Sequence, residues 1–227
     1  MFFHWTYLLL IPGMILVFWA QQRVQSTYRK YSEIPSKMGL TGAQVAKTIL
    51  DRMGIYDVSV EHIPGELTDH YDPSAKAVRL SDVVYNSNSL AAAAVAAHEC
   101  GHVLQDVKGY KPMNVRAALV PAVNLGANFG PILIMAGLFI SAFKFLIPFG
   151  IALFAAVIIF HIVTLPVEFD ASNRALRLID ELGILQGEEN QGARKVLNAA
   201  AFTYVATALY ALLQLLQYVL IALGQRD

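Results

Sequence analysis

The chain has 227 residues, 17 basic against 17 acidic, 56% hydrophobic residues and a mean hydropathy of +0.48. Charged residues are 15% of the total, against roughly 25% in a typical soluble domain, and this composition points to a membrane protein. The balanced charge, with no basic stripe, argues against nucleic acid as a partner, and the single cysteine, Cys100, leaves no internal disulfide.

The first element is FFHWTYLLLIPGMILVFWA, residues 2–20, about one membrane span long and carrying aromatics at both ends. No Lys or Arg precedes it, and Phe18-Trp19-Ala20 is a poor cleavage site, so it reads as a retained anchor rather than a signal peptide. The polar segment follows, residues 21–128. Thr41-Gly42-Ala43-Gln44 has capping-box spacing and predicts a short helix over 42–53, stopped by Gly54. VSVEHI alternates as a strand does and is closed by Pro64-Gly65. LTDHY and AVRLS flank a DPSAK turn and predict a β-hairpin over 67–81. Asn86, Ser87, Asn88 and Ser89 are candidate N-caps for a helix over 90–106, whose Ala run at 91–94 is a strong helix former.

Two further apolar runs, 130–143 and 146–165, separated by Lys144 and Phe145, predict a transmembrane hairpin over 129–165; the first is short, and the weakly polar LVPAVNLGANF before it, residues 119–129, could extend it. Pro166 suits a helix start, and Phe169, Leu176, Ile179 and Leu182 continue at helical spacing through the polar stretch 166–198. Residues 199–224 are long enough to span but contain Gln214 and Gln217, and read as a fourth span or as a helix packed at the membrane surface. The basic residues orient these spans. Eleven lie between the first and second, and Arg174, Arg177, Arg194 and Lys195 lie between the third and fourth. Only Lys144 and Arg226 fall on the other side, so the positive-inside rule places 21–128 and 166–198 in the cytoplasm.

The chemistry is concentrated in HECGH, residues 98–102. On a helix, His98 and His102 are four apart, share one face and can reach one ion, with Glu99 beside them. This is the H-E-x-x-H pattern, in which zinc polarises water and the glutamate is the general base. Two solvated histidines on a helix would need none of this context. A catalytic zinc takes three protein ligands and leaves a fourth position open. Cys100 lies two residues from each histidine, on another helix face, and suits packing better. His62, His70 and His161 are available, His161 reading best as an interfacial or carbonyl-bonded histidine within the third apolar run. Glu168 is the strongest third candidate and Asp170 its competitor; a carboxylate near a helix start is favourable at either position.

HECGH, followed after a hydrophobic hairpin by Glu168-Phe169-Asp170-Ala171-Ser172, resembles the membrane-embedded zinc peptidases of the HtpX and CAAX-prenyl-protease type. LTDHYDP at 67–73, RLS at 79–81, AAHECGH and EFDAS together resemble the YugP-like neutral zinc metallopeptidases more closely, over nearly the whole chain. The resemblance implies that Glu168 is the third zinc ligand. HtpX-type enzymes carry an acidic residue where this chain has Ser172, which can hydrogen-bond a ligand but brings no charge to it.

The expectation is therefore a mainly α integral membrane protein with about four transmembrane helices and a small α+β zincin-like catalytic domain. Zn2+ would be held by His98, His102 and Glu168, and Glu99 would be the base in peptide hydrolysis. His70, Tyr71 or Arg174 would serve the oxyanion or the substrate. The expected partners are the lipid bilayer and a membrane-proximal protein or peptide, with the active site on the cytoplasmic side of the inner (plasma) membrane. The alternative is a non-catalytic zinc-binding scaffold or assembly protein, but structural sites favour four closed, Cys-rich ligands.

Overall fold

The computed structural model describes residues 5–224; Phe2, Phe3 and His4 of the expected anchor, and Arg226, lie outside the described residues. The helices are α1 (Leu10–Ser32), preceded by a 3-10 turn Trp5–Leu9, α2 (Gly42–Arg52), α3 (Asp82–Tyr85), α4 (Leu90–Val107), α5 (Lys111–Phe139), α6 (Leu146–Glu181) and α7 (Glu188–Gly224). The strands are β1 (Ser59–Ile63), β2 (His70–Asp72) and β3 (Ala77–Ser81). The chain divides into two compact units, one of Met1–Gln21, Lys111–Pro166 and Phe202–Asp227, the other of Gln22–Tyr110 and Val167–Ala201.

The first unit is helical. Four helices of the chain, Trp5–Ser32, Lys111–Phe139, Leu146–Glu181 and Glu188–Gly224, are long and apolar enough to cross a membrane. Gly126 permits a close crossing of α5 and α6, because a Cβ there would collide with the Leu153 carbonyl. Ile134, Phe154, Val157 and Tyr218 form a small buried cluster. Around it, large apolar side chains point outward: Phe18 and Phe139 are each 68% exposed and Phe149 62%.

Three boundaries differ from the sequence reading, and one is that the apolar stretch expected from 199 belongs to a helix that begins at Glu188. The span expected from 130 belongs to a helix that begins at Lys111, with Pro121 and Pro131 inside it. Pro166 does not start a helix; it lies inside α6, which carries Glu168 as well. A proline removes one amide donor from the helix, and its neighbours in a long apolar helix can absorb that loss, so it is a weak boundary signal here.

The second unit is α+β and owes its core to α4. Ala91 to Ala94, Ala96, Ala97 and Cys100 are all fully buried. These small side chains bring α4 close to α2, whose Val45, Ala46, Ile49 and Leu50 fill the space opposite. Ser89 caps α4 by accepting from the Ala92 amide. Thr41 and Gln44 make a full capping box on α2, as their spacing predicts. The sheet order is β1-β3-β2, with β3 antiparallel to β2 in the expected hairpin and parallel to β1. Asp72 Oδ1 accepts the Ser74 and Ala75 amides and so closes the hairpin turn.

Candidate metal centre

α4 places His98 and His102 one turn apart, with ring centroids 4.8 Å apart. Opposite them, α6 supplies Glu168. The approach of the two helices depends on the glycine of HECGH, because a Cβ on Gly101 would collide with the Ala171 carbonyl. The motif thus contains both the ligand candidates and the residue that lets the opposite helix reach them.

His98 Nε2 lies 3.3 Å and His102 Nε2 3.7 Å from Glu168 Oε2, and one ligand atom from each of the three residues falls within 4.8 Å of the others. Two ligands at 2.0–2.1 Å from a tetrahedral zinc lie roughly 3.3–3.4 Å apart, so this spacing fits a zinc ion. Among the described residues this is the group of His, Cys, Asp and Glu side chains close enough to hold a metal.

The hydrogen bonds behind the cluster fix how its rings are turned. Gln105 is fully buried, and its amide nitrogen donates to the Val167 carbonyl and to Asp170 Oδ2, each at 2.8 Å. Both partners are acceptors, which turns Gln105 Oε1 towards His102 Nδ1 at 3.0 Å. An amide oxygen only accepts, so Nδ1 of His102 carries the proton. A neutral His102 therefore aims the Nε2 lone pair at the Glu168 carboxylate. Two acceptors face one another there, and a cation or an added proton must lie between them. Burial disfavours the His102 imidazolium, but the Glu168 and Glu99 carboxylates outweigh it and raise the pKa. Burial likewise pushes Glu168 up, and the His102 and His98 rings, when they carry a proton on Nε2, outweigh it and hold the carboxyl well below its usual range. The pocket attracts positive charge.

His98 has its own support. Its Nδ1 lies 3.1 Å from Ser172 Oγ, so the tautomer that frees Nε2 donates Nδ1–H to the serine. Ser172 brings no charge, but a carboxylate reaches the site by another path, from Asp170 through Gln105 to His102. Asp170 is in turn paired with Arg174. The competitor for third ligand thus stands behind the second histidine, outside the cluster. Gln105 is absent from the sequence reading. Its spacing of three from His102 puts it on the same helical face and was the available signal.

Glu99 is buried next to His98, and its charge acts on His102. Cys100 faces α2, with Sγ 3.7 Å from the Ala46 carbonyl, and burial pushes its thiol pKa upward. His62 pairs with Asp82 at 2.6 Å. His161 lies in the first unit, edge-on to Phe160. His70 is exposed on β2, with Nδ1 2.8 Å from the Thr68 carbonyl. Tyr71 is buried and donates its hydroxyl to Asp106 Oδ2 at 2.7 Å. Arg174 donates Nε to Asp170 and lies over the Tyr110 ring.

Residues 6–223 match the family described as "Putative neutral zinc metallopeptidase". The chain belongs to this zinc metallopeptidase family. It is 46% identical over 219 residues to a Bacillus subtilis (strain 168) protein named "Putative membrane protease YugP", covering 96% of this chain and 97% of that one. No solved structure matches the chain. The donor set of two imidazoles and one carboxylate is of the kind that suits zinc.

Proposed function

We propose that the protein is a membrane-bound zinc metalloendopeptidase. The observation that carries this reading is the pair of acceptors, His102 Nε2 and Glu168 Oε2, held face to face by Gln105 with Glu99 alongside. Zinc held by His98, His102 and Glu168 would supply Lewis acidity, lowering the pKa of a water and polarising a peptide carbonyl. Ser172 and Gln105 keep both Nε2 atoms aimed at Glu168. The Glu99 carboxylate takes the proton of the attacking water and returns it to the departing amine nitrogen. Three protein ligands favour turnover over a closed structural site.

A protein or peptide substrate would lie extended along β2. This strand is at the edge of the sheet, packs against α4 and, among the described residues, pairs with β3 alone, so an extended peptide would add to its outer side. His70 is its exposed candidate contact. Tyr71 spends its hydroxyl proton on Asp106, and Arg174 spends Nε on Asp170. The four long apolar helices would span the plasma membrane, with the basic residues and the metal centre on the cytoplasmic side and the substrate near the membrane.

The test is Glu99→Gln in the full-length protein, followed with membrane-anchored and soluble peptide substrates. Proteolysis should fall by about 10²–10⁴-fold while bound zinc is unchanged. Undiminished cleavage would remove Glu99 from the mechanism, and wild-type protein that binds no zinc would remove the site.

A further inference from the structure

In the second unit, α1 and α7 meet at Gly192, where a Cβ would come within 2.9 Å of the Tyr31 ring. Beside this close approach is an open cavity of about 420 Å³. Arg23 and Lys30 line it from α1 and Lys195 from α7, with Thr27 and Asn198 among them. All three cations are exposed, and among the described residues no carboxylate lines the cavity. Arg29 and Arg194, exposed next to Lys30 and Lys195 in sequence, strengthen the positive field.

Arg23 is the first charged residue after the apolar run ending at Ala20, and Lys195 is the last before the apolar run that starts at Ala199. We propose that this cavity binds the phosphate of an anionic lipid headgroup. The inference rests on the reading above that α1 and α7 span the membrane, because that reading puts Arg23 and Lys195, each about one helical turn from its apolar run, at headgroup depth, with Lys30 about 10 Å further out along α1. A guanidinium can grip phosphate with two parallel N–H bonds while the two ammonium groups act as point charges. The Thr27 hydroxyl and the Asn198 amide add donors for the ester or glycerol oxygens. A zwitterionic headgroup also carries an ammonium, which three cations repel. Cations contributed by two helices give the lipid a grip on both and so tie α1 to α7 within the second unit.

The experiment is native mass spectrometry of the full chain in nonionic detergent, with phosphatidylglycerol, phosphatidylcholine and sodium phosphate as separate probes. Phosphatidylglycerol should be retained and phosphatidylcholine released. Removing two cations with Arg23→Ala and Lys195→Ala should weaken phosphatidylglycerol binding about 25-fold, at about fivefold per charge. Lys195→Arg should keep the binding, as should a charge-matched control, Lys37→Ala with Lys47→Ala. If the double variant does not fold, Lys195→Glu alone should show the same loss. Equal retention of phosphatidylcholine, or undiminished phosphatidylglycerol binding by the charge-loss variants, overturns the proposal. Competition by sodium phosphate at matched concentration overturns the lipid assignment in favour of a free-anion site. The spanning reading fails separately, if alkaline carbonate extracts the chain from membranes.

Discussion

α4 and α6 are both long and apolar, yet they meet their surroundings in opposite ways. In α4 six alanines are buried to 0% exposure, and the helix contributes both histidines of the candidate metal centre. In α6 between Leu146 and Leu165, Phe149, Ile159 and Ile162 point outward, each more than half exposed. Small side chains bring backbones together and allow polar groups from two helices to converge. Large outward side chains leave more than half of their surface uncovered by protein, and the proposed bilayer would cover it. Apolar content alone does not separate a core helix from a span; side-chain size and outward burial do.

The sharpest way to break this contrast is a charge on the outward face of α6. Ile159→Lys, near the middle of the apolar run, should cost insertion about 2.5–3.5 kcal/mol, read as a loss of membrane-integrated protein. The same change at Tyr56, which is 78% exposed in the second unit, should leave membrane integration untouched. Equal, small effects at both positions would erase the distinction. Next is Gly101→Ala, which sets a methyl against the Ala171 carbonyl and should destabilise the second unit by roughly 1–3 kcal/mol in chemical denaturation. Gly224→Ala, with open space around it, should not.

Gln105→Leu keeps the volume but removes the acceptor that fixes the His102 tautomer. Zinc affinity should drop about 10–100-fold in competition with a chelator, with far-UV circular dichroism unchanged. Ser172→Ala should cost less, below about tenfold, because a neutral hydroxyl is a weaker support than a carboxylate-backed amide.

The smallest effect expected concerns pH. Burial pushes Asp106 up, but the Lys76 ammonium and the Tyr71 hydroxyl outweigh it and hold its pKa below the ordinary 3.8. Its stabilising contribution is therefore whole above that value and is lost as pH falls through the lower folded pKa. Asp106→Asn should remove about 1 kcal/mol at neutral pH and flatten this part of the acid-unfolding curve.

Much of this arrangement was legible in the residues. The caps at Thr41 and Ser89, the hairpin around Asp72-Pro73 and the four apolar helices rest on local chemistry, which a sequence carries openly. HECGH announced its two histidines because helical spacing alone brings them together. The support behind them was hidden, because it depends on how α4 crosses α6. Nothing local says that Gly101 must face Ala171, that Gln105 reaches Val167 and Asp170, or that Ser172 meets His98. Asp170 and Glu168 are indistinguishable as carboxylates near a proline; the crossing puts one against the histidines and the other behind Gln105. Pro166 misled for the same reason, since its local preference for a helix start gave way to the continuity of α6.

His98, His102 and Glu168, from two helices, are proposed to hold one zinc ion. Zinc content per chain, measured by inductively coupled plasma mass spectrometry after dialysis against a zinc buffer, decides whether they do. Wild-type protein and Glu99→Gln should each carry one zinc per chain, and Glu168→Ala, still folded by circular dichroism, should carry almost none. A folded Glu168→Ala protein that keeps its full zinc content would contradict the account.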